Sequence, residues 1–202
     1  MHRTRHFSER FVMLWRKKNH YLIDNKALGL DDAALAWAAI EPIWMLPTGS
    51  DKAAERPREW ASVTLGQLYI YAVTWVEREV LNGGFWQYFW NTPADLPTKA
   101  LRGFERIRAS EYADLLRQAI ATFPGGVLPK TRRDRMRLLP EDPYGDVSEQ
   151  QRDVLQRLED LNERFYGVYG EGREFYNKLA GYIRAHPDEF CTAGPPAKES
   201  GK

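Results

Sequence analysis

Apolar residues recur every three or four positions along most of the chain, which is the spacing of one face of an α-helix. No segment of two-residue alternation is long enough to predict a sheet. The longest stripe runs over about residues 62–81 and comprises Leu65, Leu68, Tyr69, Ala72, Val76 and Val80. The pattern predicts an all-α protein, a single-domain helical bundle of about seven to eight helices.

Helix start and stop signals divide this pattern into elements. Asp31 and Asp32 are suited to start a helix that follows Gly29, and Pro42 and Pro47 are expected to end that helix. Further along, Ser148 and Gln151 have the spacing of a capping box, in which each side chain satisfies the other residue's backbone N–H. A long helix is therefore predicted to follow Ser148.

Composition suggests three regions along the chain. Residues 1–20 hold six basic side chains against one acidic residue and predict a basic N-terminal arm or helix. Residues 21–190 carry the helical pattern without internal repeats and predict one helical domain. Residues 191–202 are rich in Gly, Pro, Ser and Lys, a composition typical of a disordered tail.

Cysteine content and hydropathy indicate the cellular compartment in which the protein is expected. Cys191 is the only cysteine, which excludes an intrachain disulfide and favours a reducing environment. The apolar run at residues 11–15 is too short for an export signal, and no stretch approaches the roughly 20 apolar residues that cross a bilayer. We expect a cytoplasmic protein without a membrane segment.

The charge of the chain is polarised, although the formal net charge is only +1. Residues 1–20 carry a net +5 and residues 130–137 a net +4. Residues 141–174 hold ten acidic side chains against four arginines, a net −6. Such a distribution attracts charged partners even when the total is near zero.

The acidic and basic segments supply two sets of candidate binding residues. Glu159 and Glu163 are four residues apart and share a helical face, which suits a basic partner. The arginines of residues 130–137 could contact phosphates, or could instead pair with the nearby acids. The acidic candidates are Asp153, Glu159, Asp160 and Glu163, and the basic nucleic-acid candidates are Lys130, Arg132, Arg133, Arg135 and Arg137.

The densest motif is residues 82–91, which combines a glycine turn with aromatic and amide side chains. One interpretation is structural, because two glycines permit a reversal, aromatics at helical spacing pack inward and amides satisfy helix ends. The alternative is a recognition surface, with Trp86 and Trp90 on a separate stripe. The residues concerned are Asn82, Gly83, Gly84, Phe85, Trp86, Gln87, Tyr88, Trp90 and Asn91.

Patterns typical of catalysis are missing from the sequence. The four histidines are scattered and lack the i, i+4 spacing of a helical metal site. There is no nucleophile elbow and no glycine loop for phosphate, while Glu77 and Glu79 flank Arg78 and should not face each other. We predict no catalytic residue, no metal, no cofactor and no enzymatic activity.

The motif at residues 82–91, read with the end of the preceding helix, resembles the signature of the bacterial DNA-mimic protein family. The family pattern is Glu-Val-x-Asn-Gly-Gly-Phe followed by Gln-Tyr-Phe and Asn. A weaker likeness extends over about residues 62–190. The matching residues are Glu79, Val80, Asn82, Gly83, Gly84, Phe85, Gln87, Tyr88, Phe89 and Asn91.

This resemblance implies an all-α fold and a non-enzymatic role in which carboxylates take the place of DNA phosphates on a DNA-binding protein. Three binding functions remain open. The protein could bind a basic or DNA-binding partner through its acidic face. It could instead act as an immunity or antitoxin-type protein for a cognate toxin, or bind nucleic acid directly through its basic segments.

Overall fold

The computed structural model of the protein describes residues 21–46, 58–93 and 95–192. Within these residues it contains eight α-helices and no strand beyond one isolated bridge, so the predicted all-α bundle is confirmed. The helices are α1 (Asp32–Trp44), α2 (Leu65–Asn91), α3 (Leu96–Arg106), α4 (Ser110–Ala121), α5 (Arg132–Met136), α6 (Glu149–Tyr169), α7 (Arg173–Ala185) and α8 (Pro187–Phe190).

Helix α2 lies at the centre and packs against α1, α3, α5, α6 and α8. It begins with a capping box, because Gln67 N donates to Thr64 Oγ1 at 3.1 Å and Thr64 N donates to Gln67 Oε1 at 3.2 Å. The bundle around it encloses one hydrophobic core.

The N-terminus of α1 is as predicted, since the Asp31 side chain accepts a hydrogen bond from Ala34 N at 2.9 Å. Of the two prolines expected to end this helix, Pro42 lies inside it, and the helix ends at Trp44, before Pro47 in the sequence. Ile43 is fully buried, and the Trp44 ring lies 5.5 Å from that of Tyr71. This packing outweighs the single hydrogen bond that proline cannot donate.

The glycine turn interrupts α2 near its C-terminal end. Gly83 and Gly84 have non-helical backbone angles, and Gly84 lies in the left-handed region at φ 73°. Helical structure resumes at Phe85 and continues to Asn91. The predicted division into two helical segments is therefore present as a kink within one element.

The predicted capping box at the start of α6 is also present. Gln151 N donates to Ser148 Oγ at 3.3 Å, and Ser148 N donates to Gln151 Oε1 at 3.0 Å. The helix then packs against α2 and α4, and the Phe165 ring contacts Phe85 and Tyr112. The outer face of α6 is left to solvent.

The two ends of the described chain meet at a single backbone bridge. Ile23 N donates to Phe190 O at 2.9 Å, and Thr192 N donates to Ile23 O at 2.9 Å. Cys191 is only 3% exposed, so the prediction that the tail starts at residue 191 is wrong for residues 191 and 192. The predicted N-terminal arm, residues 1–20, and the remainder of the tail lie outside the described residues.

Candidate functional site

The glycine turn is held in place by a side chain of α6. Asn162 Oδ1 accepts a hydrogen bond from Phe85 N at 2.8 Å, while Asn162 Nδ2 donates to Glu159 Oε2 at 2.9 Å. A Cβ atom at Gly84 would collide with the Asn162 amide. The turn therefore needs glycine for two reasons, its left-handed backbone and the close approach of α6.

Two of the predicted amide residues hold a carboxylate across the turn. Gln87 Nε2 and Asn91 Nδ2 donate to Glu79 Oε2 at 3.0 Å and 2.8 Å. Glu79 precedes the glycines and both amides follow them, so these bonds fix the angle between the two segments of α2. The structural interpretation of these amides is supported by this geometry.

The inward-facing aromatics of the motif belong to the core. Phe85, Tyr88 and Phe89 are fully buried, and the Phe89 ring contacts Phe123 edge-on at 5.0 Å. Burial raises the pKa of Tyr88 well above its usual value. The hypothesis that Phe85 and Tyr88 form a recognition surface is wrong, because neither side chain reaches solvent.

Trp86 and Trp90 lie apart from this core, as their spacing predicted. Their rings stack at 5.7 Å, and both are half-buried. Trp86 Nε1 donates to Pro140 O at 2.9 Å, which ties the pair to the segment that follows α5. Trp86 also lines the groove beside the turn, so it is the aromatic of the motif that a ligand can reach there.

The groove has a volume of about 620 Å³ and lies between the glycine turn, the loop at residues 143–147 and α6. Asn82, Gly83 and Gln87 line it from the turn, and Glu159 lines it from α6. Tyr144 is 96% exposed and lies at its edge. The groove thus combines aromatic rings, amides and a carboxylate.

The predicted acidic candidates lie on the solvent side of α6, where Asp153, Glu159, Asp160 and Glu163 are all exposed. Asp153 is paired with Arg157 at 2.8 Å, and Glu159 accepts the bond from Asn162. Within the described part of the chain, Asp160 and Glu163 make no salt bridge. The available negative charge is therefore concentrated towards residues 159–163.

The predicted basic candidates do not form one surface. Lys130, Arg133 and Arg137 are exposed, and Arg137 is paired with Asp134 at 3.3 Å. The side chain of Arg132 is outside the described part of the structure. The N-terminal basic residues are also outside it, so the convergence of the two basic segments stays a prediction.

Arg135 is buried and holds the C-terminal end of α2. It is only 1% exposed, and its guanidinium donates to Phe89 O at 3.1 Å, to Thr92 O at 2.7 Å and to Pro129 O at 3.3 Å. Carbonyls at a helix end lack intrahelical partners, and a cation suits them. The prediction that Arg135 contacts nucleic acid is wrong, because its side chain is inside the protein.

Glu77 is a buried carboxylate that the sequence analysis did not select. It is 3% exposed, and its Oε1 accepts hydrogen bonds from the hydroxyls of Tyr169 and Tyr176 at 2.9 Å and 3.1 Å. Burial raises its pKa, and the two hydroxyl bonds partly oppose that shift. Its position three residues before Val80, a member of the apolar stripe, was the signal in the sequence. Asn162, four residues after Leu158, carried the same signal.

Together these features define a helical bundle with a kinked central helix and an acidic outer helix. No group of three metal-ligating side chains occurs among the described residues. None of the helices in those same ranges is both long and apolar enough to cross a bilayer.

A family model described as DMP19-like protein matches residues 61–186. The chain therefore belongs to the DMP19-like family. The match extends from just before α2 to the end of α7 and so includes the glycine turn, the groove and the acidic helix. No curated protein and no solved structure matches the chain.

Proposed function

We propose that this protein is a non-enzymatic binding protein that presents the outer face of α6 to a DNA-binding protein. The observation that carries the proposal is the exposure of four carboxylates, Asp153, Glu159, Asp160 and Glu163, along one helix. Membership of a family of DNA-mimic type is consistent with this role. In the proposal the carboxylates occupy the positions where the partner would otherwise hold phosphates.

The spacing of these carboxylates suits a row of cationic side chains. Glu159 and Glu163 are one helical turn apart, or about 6 Å along the axis. Lysine and arginine side chains that neutralise phosphates can form charge-assisted hydrogen bonds with carboxylates in the same way. Because Asp160 and Glu163 are not paired with described cations, their full charge is available to a partner.

The groove beside α6 offers a place for one arginine of that partner. Glu159 provides a carboxylate at its wall, while Trp86 and Tyr144 provide aromatic rings. A guanidinium binds carboxylates through a planar fork and stacks on aromatic faces, which lysine does less well. Arg152 also lines the groove, and its positive charge would repel a second cation there. The site therefore suits one inserted arginine flanked by weaker contacts.

Charge reversal with affinity capture from the native host tests the proposal. The purified protein should recover a basic DNA-binding protein, identified by mass spectrometry, and added duplex DNA should release it. The double variant Glu159→Lys/Glu163→Lys should lose this partner. Glu41→Lys/Glu59→Lys, which makes the same charge change at two exposed positions, one on α1 and one shortly before α2, is the matched control.

Two results would contradict the proposal. Unchanged recovery by the Glu159→Lys/Glu163→Lys variant would show that α6 is not the binding face. Recovery of an acidic partner, or of nucleic acid retained at low salt through Lys130, Arg133 and Arg137, would favour a different surface. Circular dichroism of both double variants shows whether loss of binding is separate from loss of fold.

A further inference from the structure

A second pocket lies between the C-terminal end of α3 and the outer face of α7. Its volume is about 380 Å³. Arg106 and Arg108 line it from the turn after α3, and Lys178, Gly181 and His186 line it from α7 and its C-cap. None of the acidic residues that the structure describes lines this pocket. Its walls therefore carry positive charge alone.

The two arginines have no counter-ion in the part of the chain that the structure describes. Arg106 and Arg108 are exposed, and neither guanidinium forms a salt bridge or a hydrogen bond there. The Lys178 ammonium lies 3.0 Å from Glu174 Oε1 and donates to Arg108 O at 3.3 Å, which leaves one of its three N–H donors. The pocket thus has two uncompensated positive charges.

The acidic side chains near the pocket are engaged outside it. Glu105 and Asp32 each pair with another arginine, at 2.7 Å and 2.6 Å. Glu189 accepts a hydrogen bond from the Tyr182 hydroxyl at 3.2 Å. Because these carboxylates do not line the pocket, an anion inside it contacts cationic side chains first.

Arg108 has a backbone conformation that favours glycine. Its φ is 57°, and it is the only residue other than glycine with a positive φ in the described ranges. Ala109 N donates to Phe104 O at 2.8 Å and Arg108 N donates to Glu105 O at 3.2 Å, the bonds of a helix end whose left-handed position is usually glycine. An arginine here costs stability that glycine would not. Residues held in such conformations cluster at binding sites.

Gly181 leaves open space above the backbone of α7. It lies three residues after Lys178, on the same face of the helix, and a Cβ atom there would meet nothing within 4 Å. The half-buried His186 ring borders this space and lies 4.3 Å from the Tyr182 ring. The pocket is larger than one phosphate group, so it has room for a small organic body beside the cations.

We propose that this pocket binds a small organic phosphate, a monoester whose phosphate group lies between Arg106 and Arg108. Such a group carries a charge of about −1.5 to −2 at pH 7, which matches two unpaired guanidiniums better than a singly charged anion does. Its oxygens accept hydrogen bonds from the guanidinium forks and from the remaining Lys178 N–H. Its organic body lies over Gly181, against His186.

This site shares no residue with the groove beside α6 or with the acidic face of α6. It therefore does not depend on the proposed partner.

Three probes that share a phenyl ring test the charge preference. Phenyl phosphate, phenyl sulfate and benzyl alcohol are titrated into the full-length protein at about pH 7.5, where the phosphate is a dianion. Amide shifts are followed by NMR at Arg108, Gly181 and His186. Phenyl phosphate should give saturable shifts there and bind at least about tenfold more tightly than the other two. Equal binding of phenyl sulfate would overturn the proposal, and so would a lack of saturable shifts.

Two further titrations identify the source of the phosphate group. Inorganic phosphate should bind at the same residues more weakly than phenyl phosphate, and equal affinity would overturn the assignment of an organic ester. A short DNA duplex presents only singly charged phosphodiesters and should also bind more weakly. Tighter binding of the duplex at these residues would overturn the proposal in favour of a nucleic-acid backbone.

Arginine variants separate binding from folding. Arg108→Gly removes one cation together with the backbone strain, so phenyl phosphate binding should weaken at least about tenfold while Tm stays the same or rises. Arg106→Gln should weaken binding similarly, whereas Arg133→Gln, the same change at an exposed arginine of α5, should not. Unchanged affinity in Arg108→Gly and Arg106→Gln would overturn the assignment to this pocket.

A glycine variant tests where the organic body lies. Gly181→Leu fills the open space and favours the helix, so it should weaken phenyl phosphate binding without loss of fold. Gly167→Leu makes the same change at an exposed glycine of α6 that also has nothing within 4 Å, and it should leave binding unchanged. Equal affinity of the two variants would contradict the placement of the body over Gly181.

Discussion

Asn162 on α6 accepts the backbone hydrogen bond of Phe85, a residue 77 positions earlier in the chain. The kink at Gly83 and Gly84 takes the Phe85 N–H out of the regular helical pattern, and the Asn162 amide provides the replacement acceptor. A side chain from another helix thus completes the central helix at its kink.

Asn162→Ala should destabilise the protein by about 1–3 kcal/mol, because a buried N–H loses its acceptor and Glu159 loses a donor. Chemical denaturation followed by circular dichroism measures the change. Gln150→Ala, at an exposed position of the same helix, is the control and should stay within about 0.5 kcal/mol of the wild type. Equal stability of the two variants would show that the Asn162 contact has little energetic weight.

Gly84→Ala should be more destabilising than Gly125→Ala, although both glycines have nearly the same positive φ, 73° and 74°. A side chain at Gly125 meets nothing within 4 Å, so that variant reports only the left-handed strain, about 1–2 kcal/mol. Gly84→Ala adds the collision with Asn162 and a larger backbone strain, because ψ is −177° at Gly84 and 7° at Gly125, and the former conformation is adopted almost only by glycine. Thermal unfolding of both variants measures the difference.

A double variant tests whether Asn162 causes that difference. Asn162→Ala makes room for the new methyl group, so Gly84→Ala should cost less stability in the Asn162→Ala background than in the wild type. If the double variant loses as much stability as the two single variants together, the backbone strain of the turn is what requires glycine at position 84. The contact with α6 would then not be the cause.

Arg135→Met should destabilise the protein by about 2–4 kcal/mol, since three backbone carbonyls lose a charged donor inside the protein. Arg133→Met, its exposed neighbour two residues away, should leave stability nearly unchanged. Urea denaturation of both variants gives the comparison. A similarly small loss of stability in both variants would mean that water replaces the hydrogen bonds of Arg135 at no cost in free energy.

Glu77→Gln should change how stability depends on pH. Because burial raises the pKa of Glu77 above its usual 4.5, the folded state binds a proton more readily than the unfolded state. The wild type therefore loses stability as the pH rises from about 4.5 through the raised folded pKa. The glutamine variant lacks this loss, so its stability relative to the wild type should improve over that range.

Chemical denaturation of both proteins from about pH 4 to about pH 8 measures this difference. Of the groups that face Glu77, Arg78 lowers its pKa, and Tyr169 and Tyr176 titrate above the tested range because burial raises their own pKa values. A constant difference between variant and wild type across the range would show that Glu77 does not titrate in this way.

Local features of the fold were predictable from the sequence. The capping box of Ser148 and Gln151 and the break at Gly83 and Gly84 depend on residues within a few positions of one another. Their backbone geometry follows from side-chain oxygens near free N–H groups and from the conformational freedom of glycine. Pro42 was misread because the contacts that extend α1 come from α2, far along the chain.

The interior polar residues could not be assigned from neighbouring residues alone. Arg135 lies among exposed arginines in a charged segment, and only its position against the end of α2 turns it into a structural residue. Glu77 and Asn162 did interrupt apolar stripes, which indicates burial but does not identify the partner. The groove also required the three-dimensional arrangement, since the loop at residues 143–147 meets the turn only in the folded protein.

Ile23 and Thr192 are hydrogen-bonded although they are 169 positions apart. The described part of the chain therefore begins and ends at the same place on the bundle, and its path through the helices is nearly a closed circuit. A domain of this kind can be inserted into a surface loop of a host protein, or reconnected with new ends elsewhere on its surface, without separating any pair of packed helices. The bundle could in this sense be moved into another protein as a unit, and the moved unit would include its acidic helix α6.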